Sequence, residues 1–200
     1  LLEEPSDQGT SSKAILKWEL DKASTEKTSF DWNTVDGTAI AGIDYYAKSD
    51  SVSISPGTLS GSIEIEIISD FIQEDKESFQ VALSNANFLN FSSANAEVLI
   101  NDNDQAGIVL TSKQTLETSE RGGVDSFQFV LESQPTANVS IDLSVSDTSE
   151  GNLEFKSVTF TPSNWNQPQT IKVIGVDDIQ RDGNISYAII TSKSQSEDPH

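Results

Sequence analysis

The fold is decided by a strictly alternating stretch, Ile63-Glu64-Ile65-Glu66-Ile67. Alternate side chains of a β-strand point to opposite faces of a sheet, so this pattern predicts a strand with one face in a core and one in water. The same period of two recurs at residues 127–129, 139–145 and 171–173, and no comparably long stretch has the 3.6-residue period of an amphipathic helix. Turn-forming pairs such as Asp36-Gly37 separate these stretches. The sequence therefore predicts an all-β protein built of antiparallel β-sandwiches.

The sequence contains an internal repeat of domain size. A shift of 108 residues aligns residues 63–74 with residues 171–182, apolar with apolar and acidic with acidic, and places Phe79 opposite Tyr187. A period near 100 residues indicates a duplicated domain, so we predict tandem β-sandwiches at residues 1–104 and 105–200. The first copy closes with an apolar strand that has no counterpart at the end of the second. We therefore expect the second sandwich to lack its last strand, as in a piece of a longer chain.

The composition of the chain excludes several classes of function. The 200 residues include no cysteine and a single histidine, His200, which excludes thiol chemistry, a cysteine-ligated metal and a catalytic triad supplied by this chain. The 32 acidic and 12 basic residues give a net charge of −20, which repels nucleic acid and anionic membranes. No apolar run is long enough for a membrane span, so we expect no nucleic-acid partner and no direct membrane insertion. Only paired carboxylates are available for catalysis and nothing suggests a substrate cleft, so we expect no enzymatic activity.

Acidic residues gather just beyond two strand ends. One group follows the strand at residues 63–68 and the other follows residues 98–100; the members are Asp70, Glu74, Asp75, Glu77, Asp102 and Asp104. Two carboxylates about 4 Å apart repel by roughly 4 kcal/mol at an effective dielectric near 20. Either a bound cation or an open, hydrated loop relieves such repulsion, and the sequence leaves both alternatives open. Because several loops offer only oxygen ligands, Ca²⁺ is the cation that fits best.

Four segments then occur in the order typical of one family. They are residues 35–45, with Asp36-Gly37-Thr38-Ala39 and Gly42-Ile43-Asp44-Tyr45, then Ser55-Pro56-Gly57, residues 68–79, and Ile100-Asn101-Asp102-Asn103-Asp104. Together they resemble the Calx-beta domain over roughly residues 1–104. The resemblance implies an immunoglobulin-like β-sandwich that binds Ca²⁺ at one end. The family occurs in the regulatory loop of sodium/calcium exchangers, in an integrin beta subunit and in large bacterial and matrix surface proteins.

The resemblance also implies which groups bind the metal. The acid near the first strand is Glu3, Glu4 or Asp7, of which Glu4 is chosen. The other ligands carried over by motif are loop acids and one backbone carbonyl: Asp44, Asp70, the carbonyl of Ile72, Glu74, Glu77, Asp102 and Asp104. Asn103 and Ser69 stand where calcium-sensing members carry acids, which implies fewer ions or weaker binding. Asp36, which begins an Asp-Gly turn, is expected to have a structural role.

Residues 107–200 resemble a repeat of giant bacterial surface proteins that often stands beside Calx-beta modules. The similarity lies in residues 164–170 and in Gly175-Val176-Asp177-Asp178. The candidate metal ligands of this copy are Glu117, Glu154, Asp177, Asp178 and Asp182. Because Ile185 replaces Glu77 and the closing acidic loop is absent, we expect an incomplete site. The three tryptophans, Trp18, Trp32 and Trp165, are expected to pack in a core or a loop.

Two interpretations of the function follow. The first is a calcium-binding structural module of a large multidomain cell-surface or adhesion protein, extracellular and bacterial, in which Ca²⁺ stiffens the joint between domains. The alternative is a cytoplasmic, Ca²⁺-sensing regulatory domain of a transporter similar to sodium/calcium exchangers. The predicted partners are calcium ions and neighbouring domains of the same chain, with a protein or glycan adhesion ligand left open. Affinity distinguishes the two, since extracellular modules bind Ca²⁺ at about 10⁻⁴–10⁻³ M and sensors at about 10⁻⁷–10⁻⁵ M.

Overall fold

A computed structural model describes residues 2–4, 12–112, 115–180 and 183–200. Every regular element among these residues is a β-strand, which confirms the all-β class. Within the same ranges no helix is long and apolar enough to span a membrane. The chain divides into two compact units, Leu1–Asn103 (unit 1) and Asp104–His200 (unit 2).

Seven strands build the two sheets of unit 1. Their bounds are β1 (Leu2–Glu3), β2 (Ser12–Glu19), β3 (Thr28–Asp36), β4 (Ser49–Ile54), β5 (Ser60–Ile67), β6 (Glu77–Asn87) and β7 (Asn95–Asn101). One sheet has the order β1-β7-β6-β3-β4 and the other pairs β2 with β5. Neighbouring strands are antiparallel except β1 and β7, which run parallel.

The core of unit 1 lies between these sheets because the inward faces of both are apolar. Strand β5 buries Ile63, Ile65 and Ile67 and exposes the intervening glutamates, as the alternation predicts. In the other sheet, β6 buries Phe79, whose ring stacks on Tyr45 with the ring centroids 4.0 Å apart. Burial on this scale is the dominant favourable contribution to folding.

Two tryptophans pack against the core of unit 1, as the sequence predicts. Trp32 is buried on β3, and the ring of Trp18 meets Phe30 edge-on with centroids 6.0 Å apart. Gly61 lies opposite Trp18 in the β2–β5 ladder, where a Cβ atom would stand only 2.3 Å from Cζ2 of the indole. A glycine is therefore required for the indole to lie flat across β5.

Unit 2 also consists of two sheets. Its strands are β8 (Ile108–Leu110), β9 (Val124–Leu131), β10 (Val139–Val145), β11 (Gly151–Leu153), β12 (Ser157–Phe160), β13 (Gln169–Gly175) and β14 (Ile189–Thr191). The sheets have the orders β12-β10-β14 and β11-β13-β9-β8. Phe129 and Phe160 meet edge-on at 5.6 Å between ring centroids, and Trp165 packs at the margin of the same core.

The internal repeat is visible in the strands of the two units. Shifting β5 by 108 residues places it on residues 168–175, which almost coincide with β13, and both strands pair with the first long strand of their unit. Strand β6 lies between β3 and β7, whereas β14 pairs with β10 alone among the described strands. Among its described strands, unit 2 thus has no counterpart of β7.

Phe79→Ala is expected to destabilise unit 1 by about 3–5 kcal/mol, because it removes a fully buried aromatic side chain and its stacking on Tyr45. Phe88→Ala is the matched control, since Phe88 is 76% exposed. Urea unfolding in a Trp165→Phe background, followed with excitation selective for tryptophan, measures the change, because the remaining tryptophans, Trp18 and Trp32, both lie in unit 1. Equal unfolding midpoints for the two variants would contradict this assignment of the core.

Candidate metal centre

Six of the carboxylates predicted from the sequence come together in unit 1 and at its boundary. They form two triples, Glu4 with Asp102 and Asp104, and Asp44 with Glu74 and Glu77. Within each triple, one carboxylate oxygen of every residue lies within 4.8 Å of the others. Glu4 is 8% exposed and Asp44 is 4% exposed, so each triple includes one buried acid.

The parallel pairing of β1 with β7 builds the first triple. It places Glu4, directly after β1, beside the chain that leaves β7 toward Asp102, and the N–H of Glu4 donates to the carbonyl of Asn101 at 3.0 Å. The side-chain amide of Asn103 donates to the carbonyl of Glu4 at 2.8 Å. An aspartate could not donate this hydrogen bond. Asn103, expected only to reduce the charge, therefore also holds the first acid in place.

The loop between β3 and β4 supplies Asp44 to the second triple. Its Oδ2 atom accepts the N–H of Ile40 at 2.6 Å, and its backbone carbonyl accepts the N–H of Ile68 at 2.9 Å, just beyond β5. Glu77 is the first residue of β6. The buried acid is thus fixed by backbone hydrogen bonds on both sides, which prevents it from moving away from the other two acids.

Direct contacts connect the two triples. The N–H of Glu74, from the second triple, donates to Oδ2 of Asp102, from the first, at 2.7 Å. The charges of both triples affect the carboxyl of Asp70. Its pKa is raised by burial and by the charges of Asp44 and Asp102, whereas the hydrogen bond that it accepts from the N–H of Ile72 at 2.7 Å lowers the pKa. The predicted carboxylates therefore belong to one acidic centre at one end of unit 1.

The electrostatic cost of bringing these acids together is visible in the pKa of Glu77. Burial is the largest cause that raises the pKa of its carboxyl to about 7, followed by the hydrogen bond and charge of Asp44 and the charges of Glu74 and Asp70. Burial and the neighbouring acids thus both favour the protonated form of this carboxyl.

Asp36 has the structural role expected of it. Its Oδ1 atom accepts the N–H of Ala41 at 3.0 Å and the hydroxyl of Tyr45 at 2.5 Å, which closes the loop that carries Asp44. Burial and the hydrogen bond to Asp36 raise the pKa of Tyr45 to about 12, so the phenol remains a donor. Only the Asp-Gly pair signals this role in the sequence, and nothing in the sequence shows that Tyr45 is the partner.

The donor set suits a hard divalent cation. Every side chain in the two triples offers carboxylate oxygen, and neither sulfur nor imidazole nitrogen is present in them. Ca²⁺ takes 6–8 oxygen ligands in flexible geometry, whereas zinc and copper favour nitrogen or sulfur. The residues present therefore fit Ca²⁺ in chemistry, and each triple offers three carboxylates toward its ligands.

The candidate ligands of unit 2 are not gathered in the same way. The described residues of this unit include no group of three acids with oxygens that converge within 4.8 Å. Glu154 instead forms an ion pair with Lys172 at 3.1 Å, and Asp178 accepts the N–H of Gln180 at 2.7 Å. Glu117 and Asp177 join no such group, and Asp182 lies outside the described residues.

The fold and the acidic centre together define a class of protein, a β-sandwich domain with an oxygen-only centre for a divalent cation at one end. The family model of the Calx-beta domain matches residues 10–104. This match confirms the resemblance to the Calx-beta domain that the motifs indicate. The match continues through Asp104 and covers every acid of the two triples except Glu4, which lies before its first residue.

The curated relatives are sodium/calcium exchangers. Sodium/calcium exchanger 1 of Cavia porcellus is 30% identical over 166 residues, which cover 73% of this chain and 17% of that protein. Sodium/calcium exchanger 3 of Rattus norvegicus is 30% identical over 169 residues, which cover 73% of this chain and 18% of that protein. The chain thus spans less than a fifth of the length of these two relatives.

Solved structures with similar chains also contain Calx domains. The crystal structure of calcium binding domain CBD12 of CALX1.1 is 20% identical, has a TM-score of 0.49, and aligns over 94% of this chain and 76% of that chain. The apo-form Calx CBD1 domain is 28% identical, has a TM-score of 0.42, and aligns over 47% of this chain and 83% of that chain.

The raised pKa of Glu77 predicts that the metal-free protein loses stability as the pH rises from about 5 to about 7. In this window the folded protein holds the proton that the unfolded chain releases near its ordinary pKa of 4.5, so deprotonation costs folding free energy. Melting midpoints measured in chelator should fall across this range. Glu77→Gln should flatten the fall, and Glu66→Gln, which replaces an exposed strand carboxylate, should not. Parallel curves for all three proteins would contradict the assignment.

Asp36→Ala is expected to destabilise unit 1 by about 1–3 kcal/mol, because it removes the acceptor from the hydroxyl of Tyr45 and the N–H of Ala41. Asp21→Ala, which replaces an exposed aspartate, is the control. Urea unfolding in the Trp165→Phe background measures the difference. If both variants unfolded at the wild-type midpoint, Asp36 would not be needed to close the loop.

Proposed function

We propose that the first domain binds Ca²⁺ at the acidic centre and that the chain serves as the calcium-sensing regulatory part of a transporter similar to sodium/calcium exchangers. The observation that carries the proposal is the convergence of six carboxylates into two triples with oxygens within 4.8 Å. The exchanger relatives support the regulatory role. In this proposal the chain has no catalytic activity of its own.

Charge repulsion is the physical reason for the proposal. Two ionised carboxylates about 4 Å apart repel by roughly 4 kcal/mol at an effective dielectric near 20, and the oxygens of each triple lie within 4.8 Å of one another. A divalent cation replaces this repulsion with attraction and lowers the pKa of Glu77, so that ligand becomes fully ionised. Binding would then stabilise the folded domain by mass action, by about 2.7 kcal/mol per independent site at 100 times the dissociation constant.

The proposed ligands follow the geometry of the two triples. Asp44, Glu74 and Glu77 would hold one ion, and Glu4, Asp102 and Asp104 a second. Asp70 lies under the influence of both triples, so its carboxylate would serve either ion. The carbonyl of Ile72 is proposed as a further ligand on the family resemblance alone, in a segment that Asp70 anchors through the N–H of Ile72.

The domain organisation proposed from the sequence is part of this function. We take residues 1–104 as the calcium-binding domain and residues 105–200 as its partner domain in tandem. The candidates of the second domain, Glu117, Glu154, Asp177, Asp178 and Asp182, would account for any calcium that remains bound when the first domain is inactivated.

A second candidate function is the calcium-binding structural module of a cell-surface or adhesion protein. Two features of the acidic centre favour it, since Asn103 and Ser69 occupy positions where the sensing members of the family carry acids. A smaller negative charge lowers the affinity for Ca²⁺, which suits an extracellular module better than a sensor. The regulatory reading implies a cytoplasmic location and the structural reading an extracellular one.

Calorimetric titration of the full chain with Ca²⁺ tests the proposal. We expect binding with a dissociation constant of about 10⁻⁷–10⁻⁵ M for a sensor, whereas about 10⁻⁴–10⁻³ M would favour the structural module. Asp44→Asn should abolish one site and Asp102→Asn the other, because each removes a charge from one triple. Glu66→Gln, on the exposed face of β5, is the matched control and should bind as the wild type does.

The absence of any heat of binding at millimolar Ca²⁺, with a melting midpoint unchanged by chelator, would refute both functions. Binding that survives in the double variant Asp44→Asn/Asp102→Asn would assign the ions to the second domain instead of the acidic centre.

A further inference from the structure

The chain that leaves β7 faces Glu4 with three consecutive residues. Carboxylate oxygens of Asp102 and Asp104 lie within 4.8 Å of a carboxylate oxygen of Glu4. Asn103, which stands between them, donates from its side-chain amide to the backbone carbonyl of Glu4 at 2.8 Å. Asn103 therefore contacts the main chain of the acid whose carboxylate its two neighbours face.

Hydrogen bonds hold both polar groups of the Glu4 backbone. The N–H donates to the carbonyl of Asn101 at 3.0 Å, and the carbonyl accepts the side-chain amide of Asn103. The residue as a whole is buried. With the main chain fixed in this way, the carboxylate of Glu4 can move only between the positions that its side-chain rotamers reach.

The number of negative charges alone predicts that an aspartate at position 103 would strengthen cation binding. Calcium affinity depends on the charge of the ligand set. The family resemblance places an acid at this position in calcium-sensing members, where this chain has Asn103. On that reasoning Asn103→Asp would move the affinity of the site toward that of a sensor.

The hydrogen bond to Glu4 predicts the opposite result. An ionised aspartate offers only acceptors, so it cannot donate to the carbonyl of Glu4. Its oxygen would stand where the amide nitrogen of Asn103 now lies, 2.8 Å from the carbonyl oxygen, and two acceptors at that separation repel. The new side chain or the end of β1 must then move away, and a partly buried carbonyl loses its donor.

We propose that Asn103 is a positioning residue of the first triple, which fixes the main chain of Glu4 so that the carboxylate of Glu4 faces the cation. This role rests on the proposed function, because it concerns the Ca²⁺ that Glu4, Asp102 and Asp104 would hold. Without the hydrogen bond, Glu4 must be ordered as the ion binds, and the cost of this ordering lowers the affinity. An aspartate at position 103 therefore weakens binding although it adds a negative charge.

Calorimetric titration of the full chain with Ca²⁺ compares three variants. Asn103→Asp and Asn103→Ala both remove the donor, and only the first adds a charge. Asn101→Asp is the matched control, since it adds the same charge two residues earlier and keeps the backbone carbonyl that accepts the N–H of Glu4. The site that Asp102→Asn abolishes should bind Ca²⁺ at least fivefold more weakly in both Asn103 variants. In the control it should bind as tightly as in the wild type or more tightly.

Hydrogen exchange in chelator tests the same hydrogen bond without any metal. The N–H of Glu4 should exchange faster in both Asn103 variants than in the wild type, and at the wild-type rate in Asn101→Asp. Ile65, which is buried in the β2–β5 ladder, provides the reference amide. Because the effect is confined to the end of β1, exchange should speed up by a larger factor at Glu4 than at Ile65, whereas a loss of overall stability would speed up both alike.

Calcium binding by Asn103→Asp that equals or exceeds wild-type binding would overturn the positioning role and leave the proposed function standing. Unchanged exchange at Glu4, or equal acceleration at Glu4 and Ile65, would also overturn the role. So would an Asn101→Asp control that is weakened by the same factor, because the added charge would then be the cause. If the wild type bound no Ca²⁺ at millimolar concentration, the proposed function would fail and the positioning role with it.

Discussion

Repulsion between carboxylates that the backbone holds in place is the constraint on which the acidic end of unit 1 depends. Oxygens of three acids lie within 4.8 Å of one another in each triple, which free side chains on a surface would avoid by rotating into solvent. The pKa values of Glu77 and Asp70 are raised first by burial and then by the neighbouring acids, so ionising either carboxyl costs additional free energy. A doubly charged cation is the simplest group that removes this cost.

The fold opposes the repulsion through backbone hydrogen bonds. N–H groups of Ile40, Ile72 and Glu74 donate to carboxylates of Asp44, Asp70 and Asp102. Such bonds stabilise the ionised form and orient its lone pairs. Asp36 belongs to neither triple, but its hydrogen bonds close the loop that carries Asp44. These hydrogen bonds therefore hold the loop that carries Asp44 in place around the centre.

The sequence predicts the strands well because each has one wet face and one dry face, as β5 shows with buried isoleucines and exposed glutamates. The positions of acids beyond strand ends indicate Glu74, Glu77, Asp102 and Asp104, whereas Glu4 and Asp44 are implied by the family resemblance. The sequence does not predict how these acids divide between the two triples. The parallel pairing of β1 with β7, which brings Glu4 to Asp102, is a contact between residues about 100 positions apart. The hydrogen bond from the side-chain amide of Asn103 to the carbonyl of Glu4 likewise forms only after folding.

The two copies of the repeat show how far a local pattern can determine a strand. Residues 77–82 and 185–190 have related sequences, but the first lie in an 11-residue strand and the second are mostly outside β14. The difference follows from the neighbours: β6 has a strand on each side, while β14 has a described partner on one side alone. Alternation specifies which face of a strand is buried, but the length of the strand is set by the partners that satisfy its backbone. The first of these segments therefore lies in a long strand where β7 is present, and the second ends in a short strand where no described strand takes that place.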